Sequence, residues 1–203
     1  MALPERLLVF ARYPQPGTTK TRLIPALGPQ GAAALHARLT ESTLAVARAL
    51  QRDRGVAVTV CHTGATPVQM QAWLGPSLAY EAQSPGDLGQ RLRIAFERAF
   101  AQGAERAVAI GTDCPELGTG ALAAAFERLR RQEVVLGPAA DGGYYLIGLS
   151  APAPELFAGI DWGTARVWQQ TAAIADRLGW VRSQLAVRYD IDRPADLELS
   201  GLL

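Results

Sequence analysis

The chain has 203 residues, 49% of them apolar and 19% charged, and carries a formal net charge of +1. That length supports one substantial core, expected as a single domain over residues 1–203. The near-neutral balance, without basic or acidic blocks, excludes the electrostatic footprint of a nucleic-acid binder or a polybasic membrane tail. No segment reaches the roughly 20 apolar residues of a membrane span, and residues 1–12 hold too short an apolar run for a signal peptide. The expectation is a cytoplasmic protein with neither nucleic acid nor membrane as partner; oligomeric state is left open.

Residues 7–11 form a short continuous apolar run, the pattern of a strand covered on both faces. The run opens into residues 13–22, rich in proline, glycine and threonine. From Pro29 to about Asp53, Leu35, Leu39, Val46 and Leu50 recur at helical spacing, and Gly55 closes the helix. Residues 56–61 are β-branched at alternate positions and read as a second strand. A short helix over 68–74 and a weaker strand over 78–81 follow. Leu88, Leu92, Phe96 and Phe100 share one helical face, and Asp87 stands at the capping position. Residues 107–110 read as a buried strand running into Gly111-Thr112-Asp113-Cys114-Pro115, and Leu122, Phe126 and Leu129 mark the next helix. Two strands, 134–136 and 144–149, flank a break at 137–143; residues 164–178 read as helix, 180–189 contain a strand, and Pro194 opens a last short helix.

Alternating strands and helices predict an α/β fold, a doubly wound and mainly parallel mixed sheet with helices on both faces. The strand-loop-strand around Asp141 adds at least one antiparallel pairing. Ligands of open α/β sheets bind beyond the carboxyl ends of the strands. Lys20, Asp113 and Asp141 each follow a predicted strand, so one site is expected to collect them.

Among 20 basic side chains Lys20 is the single lysine, and it lies in the loop after the first strand. A compact, rotatable ammonium there suits a phosphate clamp. Gly17 and its small neighbours can expose backbone N–H groups, and Arg22 adds a second charge, although the spacing matches neither a Walker motif nor Gly-x-Gly-x-x-Gly. Asp113, at the end of a buried strand, is a candidate ligand for magnesium or manganese, because magnesium needs only one or two protein carboxylates beside phosphate and water. Asp141-Gly142-Gly143 offers a carboxylate and close backbone approach, with Tyr144 and Tyr145 as stacking faces, although Asp-Gly by itself is also a hairpin signal. Strand alternation would put Asp190 and Asp192 on one face, where they complete a metal site or cap the last helix. His36 and His62 lack partners at metal-ligand spacing and read as structural; Cys61 and Cys114 read as reduced, buried thiols. Neither a thiolate constellation around Cys114 nor a serine-hydrolase elbow is present.

Four motifs in order carry a resemblance over most of the chain, to about Thr171. They are Phe10-Ala11-Arg12-Tyr13-Pro14-x-Pro16-Gly17-x-x-Lys20-Thr21-Arg22-Leu23, Gly111 to Leu117, Gly137-Pro138-Ala139-x-Asp141-Gly142-Gly143-Tyr144-Tyr145-Leu146 and Trp162-Gly163-Thr164. Together they resemble a bacterial family of glycosyltransferase-like proteins, nucleotide-diphospho-sugar transferase-like and linked by name to arsenosugar biosynthesis. The resemblance implies a GT-A type fold in which the nucleotide sits over the first half of the sheet. It extends more distantly to 2-phospho-lactate guanylyltransferase and molybdenum cofactor guanylyltransferase. The chain lacks the glycine-rich loop of the latter, and Gly111 stands where many glycosyltransferases place the first aspartate of Asp-x-Asp.

The site expected on this basis has Asp113 and Asp141 in catalysis and Arg12, Gly17, Lys20, Arg22 and Asp87 on the nucleotide. Gly142, Gly143, Tyr144, Trp162 and Thr164 would meet the substrate, and Asp113 and Asp192 would hold Mg2+ or Mn2+. The leading expectation is glycosyl transfer from a nucleotide-sugar to a small-molecule acceptor. The alternatives are nucleotidyl transfer from a nucleoside triphosphate to a small phosphorylated or acidic acceptor, and a non-catalytic nucleotide-binding domain.

Overall fold

The computed structural model describes residues 4–199, so the outer ends of the expected 1–203 domain lie outside the described residues. Among the described residues seven strands form one sheet in the order β3-β2-β1-β4-β6-β5-β7. They are β1 (Glu5–Arg12), β2 (Ala57–Thr63), β3 (Ala79–Ala82), β4 (Arg106–Ile110), β5 (Val134–Pro138), β6 (Tyr144–Leu149) and β7 (Arg182–Gln184). The helices are α1 (Ile24–Arg54), α2 (Pro67–Leu74), α3 (Leu88–Ala101), α4 (Thr119–Arg128), α5 (Val167–Arg177) and α6 (Pro194–Leu199). Pairing is parallel except where β6 runs antiparallel to both β4 and β5. The antiparallel exception expected around Asp141 is therefore present, and the α/β expectation of one mixed sheet holds.

Side-chain alternation on β1 builds two core layers. Leu7, Val9 and Ala11 pack toward Leu44 and Leu50 of α1 and Leu122 and Phe126 of α4. Leu8 faces the other way, with Leu92 and Phe96 of α3 and Ala172 and Ala175 of α5. Phe96 and Phe126 are wholly buried, one in each layer, and truncation of either to alanine would cost about 3–5 kcal/mol. Among the described residues no helix is long and apolar enough to cross a membrane.

Local chemistry sets the helix ends. Gly28 breaks α1 at φ 68°, so its regular part begins at Pro29, where the missing N–H costs nothing. Gly55, at φ 70°, donates to the Gln51 carbonyl and stops it. Thr66 and Gln69 form a reciprocal cap on α2. Two differences from the sequence reading matter. The strand expected within 180–189 is only the three residues of β7, and Asp190 and Asp192 follow in irregular chain, so strand alternation is not what groups them.

The chain runs from β1 outward to β3 and then returns to place β4 on the opposite side of β1. That reversal leaves a crevice beyond the carboxyl ends of β1 and β4, the position where open α/β sheets bind ligands.

Candidate active site at the sheet's switch point

Two loops emerge into this crevice and a third crosses it. After β1 the chain turns back on itself around Thr19, which is buried. Its hydroxyl accepts from Gln15 N at 3.1 Å and reaches the Tyr13 and Gln15 carbonyls at 3.3 and 3.0 Å. Lys20 follows at φ 50°, ψ 45°, the single non-glycine residue with positive φ among the described residues. A left-handed backbone costs a side-chain-bearing residue about 1–2 kcal/mol and persists where the surroundings fix it. Here they do, through the side chain.

The Lys20 ammonium donates to Asp192 Oδ1 at 2.7 Å and to the Ile191 carbonyl, and it lies 2.8 Å from Asp113 Oδ1. Its side chain is only 4% exposed. Burial disfavours the charged ammonium, but Asp113 and then Asp192 more than offset this, so its pKa stands above the ordinary lysine value. The loops carrying the two carboxylates are tied together: Ile191 N donates to the Asp113 carbonyl at 2.9 Å. Asp196 then fixes Asp192 by accepting from the N–H groups of Asp192 and Arg193 at 2.9 and 2.7 Å.

His36 completes the floor. Its Nε2 stands 2.9 Å from the Arg12 carbonyl, which can only accept, so Nε2 carries the proton and Nδ1 presents a lone pair. Burial lowers the His36 pKa, outweighing the contact with Arg12 and the Asp113 charge, and keeps the ring neutral. Nδ1 therefore faces Asp113 Oδ1 across 3.9 Å as one acceptor facing another; among the described residues Nδ1 has no donor, and Asp113 Oδ1 has none besides the ammonium. The sequence alone gives His36 a structural role. It lines the cleft, and only the packing of α1 against β1 reveals this.

The cleft has a volume of about 340 Å3 and includes Arg12, Lys20, Arg22, His36, Asp113 and Asp192 among its walls. Beside it lies an acidic cleft of about 410 Å3 lined by Asp141, Asp190, Asp192 and Asp196, with Arg22 and Arg193. Arg22 and Asp192 belong to both, forming the wall between them. Burial, then the charges of Asp113, Asp141 and Asp192, push the Asp190 carboxyl up to about 7.

The structure thus gathers Arg12, Lys20, Arg22, Asp113 and Asp192 in one cleft and Asp141 in the next. Other expected residues have local roles. Gly17 lies in the loop at φ 81° with open space around it. Asp87 caps α3, accepting from Gln90 N at 2.8 Å. Gly142, at φ 89°, allows close approach of the Ala165 backbone, which a Cβ would strike. Gly143 N donates to Asp141 Oδ1 at 2.9 Å, the local turn that Asp-Gly signals. Tyr145 is buried rather than a stacking face, its hydroxyl donating to the Ala186 carbonyl at 3.0 Å. Tyr144 meets Trp162 edge to face with ring centroids 6.3 Å apart. The Tyr144 ring lines a separate apolar pocket of about 100 Å3 with Phe10, Leu88 and Gly111. Trp162 packs on Gly89 of α3, and Thr164 donates to the Asp161 carbonyl at 2.8 Å in the turn before α5; neither lines the two clefts. Cys114 is buried and burial pushes its thiol up to about 12, consistent with an unreactive cysteine.

Among solved structures the chain is similar to a protein from Desulfovibrio desulfuricans G20, provisionally named a nucleotide-diphospho-sugar transferase. The two share 34% identity over 95% of this chain and 84% of that one, with a TM-score of 0.88. Rv0371c from Mycobacterium tuberculosis H37Rv, in complex with manganese, is 17% identical, covering 96% of this chain and 97% of that one at a TM-score of 0.60. The 2-C-methyl-D-erythritol 4-phosphate cytidylyltransferase of Thermus thermophilus is 17% identical over 98% of each chain, at a TM-score of 0.55. The last two show the shared fold alone, and the likeness to the Desulfovibrio protein makes it the nucleotide-diphospho-sugar transferase fold. No curated protein gives a match. A family model described as an uncharacterized protein conserved in bacteria, DUF2064, matches residues 43–164, from the middle of α1 through the Asp113 and Asp141 loops. With more than half the chain matched and the Desulfovibrio likeness extending over nearly all of it, the protein belongs to the DUF2064 family.

Proposed function

We propose that the protein is a metal-assisted, nucleotide-dependent transferase that moves a glycosyl group from a nucleotide-sugar to a small-molecule acceptor. The observation that carries this reading is the meeting of Lys20, Asp113 and Asp192, far apart in sequence, at the switch point of the sheet. Arg12, Lys20 and Arg22 supply cationic groups for a diphosphate, and the hydroxyls and N–H groups of the Thr18–Thr21 turn lie along the same wall.

Asp113 and Asp192 fit a divalent cation. Two carboxylate oxygens and one carbonyl converge on a single cationic centre, and among the described residues buried Asp113 Oδ1 has no donor besides that centre. Mg2+ or Mn2+ commonly takes two such carboxylates and finds its remaining ligands in phosphate and water. Once bound, the ion would offset charge on the departing diphosphate. Arg12 and Arg22 would hold the phosphates, and Asp141 would orient the sugar or acceptor hydroxyls from the acidic side. The second cleft supports glycosyl over nucleotidyl transfer: even with Asp190 pushed up to about 7, Asp141, Asp192 and Asp196 outnumber Arg22 and Arg193, which favours a hydroxylated, uncharged partner over a phosphorylated or acidic one. The name given to the Desulfovibrio relative agrees.

Nucleotidyl transfer is the second reading, favoured by the three basic side chains gathered in the first cleft, enough for a triphosphate. Incubation with Mn2+, a nucleotide-sugar panel and a small-molecule extract, in parallel with nucleoside triphosphates, separates the two. Protein-dependent release of nucleoside mono- or diphosphate from a nucleotide-sugar is expected. Pyrophosphate release from a triphosphate, with every nucleotide-sugar untouched, would reverse the ranking.

A further inference from the structure

We propose that Lys20 is a tethered stand-in for the divalent cation. Its ammonium and the metal ion exclude one another from the Asp113–Asp192 pair, so metal binds tightly only when a ligand phosphate takes up the displaced ammonium. The inference rests on the assignment of Asp113 and Asp192 to metal under the proposed function.

Three features of the chain's own residues point this way. The ammonium nitrogen sits 2.7 and 2.8 Å from Asp192 Oδ1 and Asp113 Oδ1 and donates to the Ile191 carbonyl, an all-oxygen environment of the kind a hard cation takes. An ion bound to those same oxygens would lie within a few ångströms of the ammonium charge, and the two repel strongly in so buried a position. The side chain is 4% exposed and its close polar partners are protein oxygens, so its hydrogen bonds are committed where it stands, although it lines the cleft. It has to leave the carboxylates to become a phosphate ligand.

Residue choice gives the second and third features. The single lysine among 20 basic residues occupies this centre. An ammonium is a compact point charge able to converge on several oxygens as a metal ion does, whereas a planar guanidinium fans its donors outward. The backbone at Lys20 adopts the left-handed conformation that glycine would take without strain, so the position retains a side chain at a conformational cost. Its flexible four-carbon stem can carry the charge from the carboxylates toward the Arg12–Arg22 side of the cleft while the Thr19 anchor stays in place.

Exchange of this kind makes metal and nucleotide bind cooperatively, and by linkage each strengthens the other equally. The test is Mn2+ alone, titrated by electron paramagnetic resonance and calorimetry into the unaltered protein, Lys20→Met and Lys20→Gly. The glycine variant suits the left-handed backbone and serves if the methionine variant folds poorly. Both variants are expected to bind Mn2+ at least tenfold more tightly than the unaltered protein without nucleotide, and Asp113→Asn in either background should abolish the gain. Equal or weaker Mn2+ binding by the Lys20 variants would overturn the exclusion while leaving the metal site standing. Absence of Mn2+ binding by every form, with and without a nucleoside diphosphate, would remove the metal assignment and this inference with it.

Discussion

Replacing Asp190 with asparagine tests the electrostatics of the acidic cleft directly. Its carboxyl is pushed from the ordinary 3.8 up to about 7, first by burial and then by the charges of Asp113, Asp141 and Asp192. At about 1.4 kcal/mol per tenfold change in proton affinity, this sets a ceiling of about 4 kcal/mol on the cost of keeping Asp190 ionised in the folded protein. The sign follows from the raised value: the folded state holds the proton more tightly than the unfolded chain. Below about pH 4 both states are protonated and the cost is absent. It grows between about pH 4 and pH 7 and is complete above pH 7. Asparagine carries no charge, so Asp190→Asn should be more stable than the unaltered protein at pH 8 by about 2–4 kcal/mol, and no more stable at pH 4. For a domain of this size that gain raises the melting temperature by roughly 5–10 °C at pH 8. Thermal melts over this range in metal-free buffer provide the measurement. A difference that does not vary with pH would refute the placement of Asp190 among mutually repelling carboxylates.

Gly142→Ala combines a left-handed φ with a Cβ driven into the Ala165 backbone, and should lose about 3 kcal/mol in urea unfolding. Gly17→Ala shares the positive φ but meets open space, so about 1–2 kcal/mol is expected; equal losses would contradict the packing described. Cys61 and Cys114, both buried and both pushed up to about 12, should resist a thiol-reactive disulfide reagent at pH 8 and titrate together once unfolded; rapid native labelling of either would count against this. Asp113→Asn keeps the carbonyl that accepts from Ile191 N and should fold, yet weaken Mn2+ binding in the presence of a nucleoside diphosphate at least tenfold by calorimetry.

The elements most legible in the sequence are those whose burial is periodic. Leu7 to Ala11, the Leu35–Leu39–Val46–Leu50 stripe and Leu92 and Phe96 of the next helical face are packed in the core, although Leu88 at the start of that face is exposed; hydrophobic period and strand-helix alternation both reflect the same two-sided sheet. The meeting of Lys20 and Asp113 is legible because each follows a strand that ends at the switch point. The roles of the remaining residues depend on contacts that sequence spacing does not encode. His36 sits on a helix whose rotation about its axis brings Nδ1 to Asp113. Sequence reasoning assigns Gly142 to a ligand, and the structure adds the close approach of Ala165. The same reasoning groups Asp190 and Asp192 by a strand alternation that the chain does not adopt; they come together through Ile191, whose N–H binds the Asp113 carbonyl and whose carbonyl receives Lys20.

The extent of the family match gives that last contact further meaning. Residues 43–164 include Asp113 and Asp141 but neither Lys20 nor Asp192, so the matched segment carries one side of each cleft and not the wall between them. That wall is formed by Arg22 from the first loop and Asp192 from the last, and the two loops are joined where Lys20 reaches across 172 positions to Asp192. A single ammonium therefore closes the circuit between the chain's beginning and its end. Opposite charges meet along this closure: Asp113 and Asp192 stand with Arg12, Lys20 and Arg22 in the first cleft, and Arg22 and Arg193 stand with the four carboxylates of the second. On the proposed reading, a donor's phosphates would meet the three basic side chains of the first cleft, and Asp192, which among the described residues is the one carboxylate lining both clefts, would stand between donor and acceptor.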